Sequence, residues 1–381
     1  MNLLAKLSSA FAFVFCLAAM SAQAAMPVPP APQLNAKAWL LVDTASGLPL
    51  AEKDADARVE PASLTKLMTA YLSFAAIKEG RLKLDQTLPV SEKAWRAEGS
   101  RMFLEPTKPA KVEDLLRGMI IQSGNDACIV LAEAIAGSEE GFASMMNQMA
   151  KRLGMTGTHF MNSTGLPHAQ HYTTARDLAK LATALINTFP EHYKLYAERD
   201  FTYNGIRQPN RNRLLYMDPS VDGVKTGHTD SAGYCLIASG QRDKRRLLSV
   251  VLGTNSDGAR AMESQKLLNY GFQFFETVKL YPANKAVTTI RIYKGSTSNL
   301  QAGFTGDLYV TVPRGTAGRI DAKLVTQQPM LAPVNRGSKV GSLRLTVDGE
   351  LVGDYPLRAL HDVPVAGILG RGWDSLLLMF Q

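Results

Sequence analysis

The sequence predicts an α+β domain, helices packed on an antiparallel sheet, followed by a small all-β domain and a C-terminal amphipathic segment. Two observations predict it. Helical patterns are inserted between the outer and central strands of one apolar set, which is how helices come to pack on one sheet. Composition then shifts near Pro282, and from Ala286 to about Pro364 only short strand patterns remain. The expected division is residues 1–24 as a secretory signal, 25–283 as the main domain, 284–364 as the β domain and 365–381 as a tail.

Lys6 gives the N-terminal segment its positive charge, residues 10–20 its apolar core and Ala22-Gln23-Ala24 a small-x-small cleavage site. The apolar run is short for a membrane span. Cys16 leaves with the signal. Cys128 lies in a helical pattern and Cys235 in an apolar strand, so both are expected to be buried free thiols.

A hairpin is expected from segments 38–43 and 48–52 around Ser46-Gly47. A helix follows from Ser63, with Leu64, Leu67, Met68, Tyr71, Leu72 and Ala75 at helical spacing. Pro61 suits its start and Gly80 its end. Segments 112–121 and 125–136 read as helices interrupted by Ser123-Gly124-Asn125, and 141–153 reads as another helix. Residues 155–172 are a loop. Thr174 with Asp177 resembles a capping box opening a helix over 175–186. Strands are expected at 234–239 and 246–252, then a helix over 259–278 capped by Ser256 or Asp257. In the β domain, segments 287–293, 307–312, 339–347 and 350–357 alternate as strands, and Asp348-Gly349 is a hairpin turn.

Function is concentrated in three short motifs. Ser63 and Lys66 sit one helical turn apart, roughly 60° around the axis, so both can face one cleft. A serine needs a base to become nucleophilic, and a desolvated lysine can supply one. Ser123 and Asn125 add a second hydroxyl and an amide. Lys225, Thr226, Gly227 and His228, just before the strand at Tyr234, add a cation, a hydroxyl and a glycine that lets a substrate backbone approach a strand edge. S-x-x-K, S-D-N and K-T-G in this order mark the acylating enzymes that react with penicillins, and the second motif here has Gly124 where that pattern in the β-lactamases has Asp.

Pro61-Ala62-Ser63-Leu64-Thr65-Lys66-Leu67-Met68-Thr69, Ile121-Gln122-Ser123-Gly124-Asn125-Asp126-Ala127 and Gly223-Val224-Lys225-Thr226-Gly227-His228-Thr229 resemble the low-molecular-mass penicillin-binding proteins, serine-type D-alanyl-D-alanine carboxypeptidases. The likeness extends over nearly the whole mature chain. It implies a β-lactamase/transpeptidase-like fold, a peptidoglycan stem ending in D-Ala-D-Ala as substrate, and covalent inhibition by β-lactams. By that resemblance Ser63 is the nucleophile, Lys66 the general base and Ser123 the proton relay to the leaving group. Asn125 binds the substrate amide and Lys225 sets the field around the relay. The backbone N–H groups of Ser63 and His228 form the oxyanion hole. Thr226 and Arg260 meet the terminal carboxylate, a bidentate task suited to a guanidinium.

Other readings are weighed by what the chain lacks. A class A β-lactamase deacylates with a glutamate-activated water. The corresponding loop, 161–177, has no glutamate, and Asp177 suits a helix start better. A D,D-endopeptidase would use the same groups, and a non-catalytic peptidoglycan-binding protein would have lost some of them. His168 and His171 have H-x-x-H spacing, but no nearby carboxylate or cysteine completes a zinc set, so no cofactor is expected. The net charge of +8 suits anionic envelope polymers or lipid head groups. No basic run with interleaved aromatics points to nucleic acid. In the tail, Leu369, Trp373, Leu376, Leu377 and Phe380 share one helical face, which suits a membrane surface rather than a span. The expected location is the periplasm, peripheral on the inner membrane.

Overall fold

The structure is a computed structural model describing residues 28–326 and 328–379. The signal segment, its cleavage site and Phe380 lie outside the described residues.

One sheet organises the first part of the chain. Strands β1 (Ala38–Asp43) and β2 (Pro49–Lys53) form the expected hairpin. The remaining strands are β3 (Val221–Thr229), β4 (Gly233–Arg242) and β5 (Arg245–Thr254). The order is β2-β1-β5-β4-β3, antiparallel throughout, so β3 is an edge. The K-T-G motif was expected just before a strand and instead lies on one. Its Lys and Gly content lowers β-propensity on sequence grounds, but pairing with β4 from Val221 to Thr229 overrides it.

Helices fill the space between β2 and β3. Helix α1 (Lys66–Lys78) is buried almost all round, from Lys66 through Phe74 and again at Ala76, so it is a central helix rather than a one-sided one. It packs with α2 (Val112–Arg117), α3 (Asn125–Ala136), α4 (Glu139–Arg152) and α5 (Ala175–Thr188) in one apolar cluster. Ser138 caps α4 by accepting from the Gly141 N–H. Thr174 caps α5, while the Asp177 carboxylate accepts from Gly157 N–H and Thr158 Oγ1, tying the preceding loop to the helix. On the sheet's other face lies α6 (Asp257–Phe274), with Leu267 and Leu268 against Leu247 and Val251.

The expected helix over 259–278 stops at Phe274. Phe275–Tyr281 leaves it as strand β6 and pairs with Leu308–Pro313. The run Phe275-Glu276-Thr277-Val278 is aromatic and β-branched, and partner strands further along the chain decide the conformation. Beyond it, β7 (Ala286–Tyr293), β8 (Asn299–Gly303), β9 (Leu308–Pro313), β10 (Ile320–Val325), β11 (Lys339–Val347) and β12 (Glu350–Ala359) form the all-β part. Asp348 and Gly349 both have positive φ in the β11–β12 turn, as such a hairpin requires.

The two parts are joined by a compact polar knot. Arg245 Nε donates to Asp43 Oδ2 (2.9 Å) and to Thr277 Oγ1 (2.9 Å), and its Nη1 donates to the carbonyls of Gly271 and Phe275. Thr277 Oγ1 also donates to Asp43, and Ser46 Oγ lies 2.7 Å from Thr311 Oγ1. The last helix, α7 (Ile368–Leu378), has no buried residue. Among the described residues no helix is long and apolar enough to cross a membrane.

Candidate active site

Ser63 lies in a 3-10 turn, Ala62–Thr65, that leads directly into α1. Ala62 has φ +48°, a left-handed conformation that costs a non-glycine residue about 1–2 kcal/mol. The turn is held from behind. Thr65 Oγ1 is 3.0 Å from His171 Nε2, and Thr69 Oγ1 donates to the Ser163 carbonyl at 2.6 Å. Burial pulls the His171 imidazole down to about 4, so it supports the turn as a neutral ring. Gly165 has φ +87°, and a Cβ there would stand 1.8 Å from the Ala62 carbonyl oxygen. His168 instead is exposed and bonds its own loop at Gln170. Among the described residues no group of three His, Cys, Asp or Glu side chains is placed to hold a metal.

Lys66 is buried beneath Ser63. Its Nζ is 2.9 Å from Ser63 Oγ, 2.7 Å from Asn125 Oδ1 and 2.6 Å from the Thr164 carbonyl oxygen. A neutral amine has two N–H bonds and one lone pair. Asn125 and Thr164 accept the two N–H bonds, which leaves the lone pair directed at the Ser63 hydroxyl. Burial lowers the amine to about 8, and the Arg211 guanidinium pushes the same way.

The second motif is shaped by an interruption. Helix α2 gives way to a π-helical turn, Gly118–Gln122, where one continuous helix to Ile121 was expected. Ser123 follows at φ +67°. Its position is fixed by Gly124 N–H to Gly118 O, Asn125 N–H to Ser100 O and Asn125 Nδ2 to Glu98 O. Asp126, next in line, accepts from the backbone N–H of Met102 and Leu104 and anchors the loop that carries Ser100. Lys225 Nζ donates to Ser123 Oγ at 3.0 Å and to the Thr226 carbonyl. Burial, then the charges of Lys66 and Arg211, hold Lys225 well below the ordinary lysine range. Cys128 and Cys235 are both buried and free.

A cleft of about 480 Å³ opens over these groups. Ser63, Ser123, Thr226, Gly227, His228 and Arg260 line it, with Lys66, Asn125 and Lys225 beneath, so all nine sequence-selected residues converge. Because β3 is an edge, backbone groups not used by β4 face this cleft. Gly227 also meets a packing requirement. A Cβ on it would come within 3.2–3.3 Å of Leu64, Ala62 and Pro61, so the glycine lets β3 pack on the turn that carries Ser63. Arg260 donates to the Gly227 carbonyl and lies 5.6 Å from the Tyr234 ring.

The cleft also contains residues that sequence reasoning missed: Ser100, Asn210, Arg211, Arg213, Tyr234 and Asp257. Asn210-Arg211-Asn212-Arg213 sits in a connection with no periodicity. Its alternation of amide and guanidinium was the available signal.

Comparison with known proteins agrees with this geometry. The D-alanyl-D-alanine carboxypeptidase family, peptidase S11, matches residues 23–256, and the C-terminal domain of penicillin-binding protein 5 matches residues 275–365. D-alanyl-D-alanine carboxypeptidase DacC of Escherichia coli is 44% identical, over 98% of this chain and 94% of the relative. DacA of the same species is 40% identical over 93% and 90%. Penicillin-binding protein 5 from Haemophilus influenzae superposes with a TM-score of 0.85 at 38% identity, covering 87% of this chain and 98% of its own. Penicillin-binding protein D2 from Listeria monocytogenes, solved with ampicillin bound, superposes at 0.60 with 33% identity over 64% of this chain and 100% of its own. The chain is a member of the D-alanyl-D-alanine carboxypeptidase family, peptidase S11, with a β-rich domain of the penicillin-binding protein 5 type behind it.

Proposed function

We propose that this protein removes the terminal D-alanine from peptidoglycan stems ending in D-Ala-D-Ala, through an acyl-enzyme on Ser63. The observation that carries the reading is the lysine wedged between two carbonyl-type acceptors with its lone pair left for Ser63 Oγ. Lys66 takes the Ser63 proton as Oγ attacks the carbonyl of the penultimate D-alanine. The oxyanion is held by the backbone N–H groups of Ser63 and His228, a type of contact worth about 3 kcal/mol per donor. The C–N bond then breaks. Ser123, its hydroxyl held by Lys225, passes its proton to the leaving amine and takes the proton of the Lys66 ammonium in its place, which returns Lys66 to the neutral amine, while Thr226 and Arg260 hold the departing carboxylate. Asn125 orients the acyl side. Water, deprotonated by Lys66, hydrolyses the ester and restores Ser63. A penicillin enters by the same attack and opens its lactam ring on Ser63.

The site of action is the periplasm, after removal of residues 1–24. The protein is attached to the inner-membrane surface through residues 365–381, where Leu369 and Trp373 on α7 stand exposed.

The test is intact-mass analysis of the purified, signal-less protein after penicillin, followed over hours, with Ser63→Ala as control and D-alanine release measured alongside. The expected result is a long-lived adduct in the wild type alone, together with D-alanine release. A transient adduct with penicillin consumed makes the protein a β-lactamase. No adduct makes it a binding protein.

A further inference from the structure

Arg260 already holds a carboxylate. Its Nη2 is bonded to Asp257 Oδ1, one helical turn earlier on α6, while Asp257 Oδ2 pairs with Arg213 Nε at 2.5 Å. Among the described residues Asp257 is the only acidic one lining a cleft that also has Arg211, Arg213 and Arg260 on its walls. The three partners differ in exposure. The Arg260 side chain is 7% exposed, Asp257 35% and Arg213 62%. Asp257 therefore bridges an inner guanidinium at the reaction site and an outer one at the rim.

We propose that Asp257 is a built-in competitor for the anion-binding guanidinium of Arg260, and that Arg213 takes Asp257 over when a substrate carboxylate arrives. This rests on the carboxypeptidase reading for the identity of the substrate. A buried guanidinium without a counter-charge is costly, so in the free enzyme Asp257 compensates Arg260. An incoming terminal carboxylate offers Arg260 an anionic oxygen in place of Asp257 Oδ1, with a second oxygen for the guanidinium fork. Asp257 then swings outward by rotation of its own side chain, because its second oxygen is already paired with Arg213 in solvent. The exchange keeps every charge partnered and leaves the number of ion pairs on Arg260 unchanged. A neutral C-terminus cannot make it, since displacing Asp257 would leave Arg260 buried and unpaired. Asp257 and Arg213 thus set affinity and select for a free carboxylate. They do not touch the reacting atoms.

The test uses Asp257→Asn, which keeps size and an acceptor oxygen for Arg260 but removes the charge. Its readout is the second-order rate of acylation by benzylpenicillin and by benzylpenicillin methyl ester. The expected result is an increase of about five-fold with the free acid, the scale of one part-exposed ion pair, and no change with the ester. For a D-Ala-D-Ala peptide the same factor is expected as a lower KM. Arg213→Gln removes the outer partner. It is expected to slow the free acid about three-fold in the wild-type background and to have no effect when combined with Asp257→Asn. A fall or no change with the free acid in Asp257→Asn overturns the proposal. So does an equal change with acid and ester, or an Arg213→Gln effect that persists in the double variant. If Asp257→Asn does not fold, Arg213→Gln alone decides it: slower acylation by the acid with the ester unaffected supports the exchange, and any other result overturns it. A wild type that is acylated but releases no D-alanine would sink the carboxypeptidase reading, and the acylation measurements would still decide the role of Asp257.

Discussion

The chemistry of single residues turns on Lys66. An amine titrating at about 8 is neutral, and therefore basic, above that pH. The acylation rate is expected to rise with pH to a plateau with its midpoint near 8, falling about ten-fold per pH unit on the acid side. Stopped-flow acylation by a chromogenic β-lactam from pH 6 to 10 measures it. A flat profile would remove Lys66 as base. The same shift has a consequence for folding. Between about 8 and the unfolded value of about 10.4, the unfolded chain binds the proton and the folded one does not, so stability should fall as pH drops through that window. Lys66→Met should abolish that dependence. The pairing of Ser63 with Lys66 was legible because it is a matter of helical spacing. The third partner of Lys66, the Thr164 carbonyl, was not, because a backbone acceptor has no residue signature. Arg211, Arg213 and Asp257 were missed for a related reason. Their roles come from a loop and a helix end meeting over the cleft, and neither segment marks the other in sequence.

At the scale of elements, the loop from Met161 to Thr173 is the base on which the turn carrying Ser63 rests. Thr164, Ser163 and His171 each bond α1 or its leading turn from behind. Gly165 lets it come that close. Gly165→Ala must drive Ala62 away from its present position, since the new Cβ would overlap that carbonyl. A displacement of about 1 Å at a reacting group costs about a hundred-fold, and acylation should fall on that scale together with the melting temperature. Penicillin acylation kinetics with a parallel thermal melt test this; wild-type rates in a folded variant would show that the loop does not position Ser63. The helices and the long strands were readable from periodicity. Strand β3 was not, because a Lys-Thr-Gly stretch has no β signature until β4 lies beside it. The helix-to-strand change at Phe274 was hidden for the same reason: α6 and β6 share an apolar pattern, and β9, more than thirty residues on, decides where one ends.

For the whole molecule, the tail is tied to the β part through Asp374, which accepts from the Lys294 N–H, while one of its apolar faces stays in solvent. Ile368, Leu369, Trp373 and Leu376 are exposed on α7. Deleting residues 365–381 is expected to move the protein from the membrane fraction to the soluble fraction without changing penicillin acylation. Retention in the membrane fraction, measured by sedimentation and immunoblotting, would assign attachment elsewhere. The division into an α+β part and a β part was legible from composition. The joint was not, because its key contacts are side chains drawn from β1, β5 and β6, scattered along the chain. That joint has a mechanical meaning. Arg245 sits on a strand in the middle of the sheet and grips the first strand beyond α6, so a tug on the tail passes through β6 into the same sheet whose edge borders the cleft. Were the tail held at a surface, as proposed, the β part would be a handle rather than a swinging weight, fixing the height at which the cutting edge is carried above that surface, and so which layer of a surrounding polymer comes within reach.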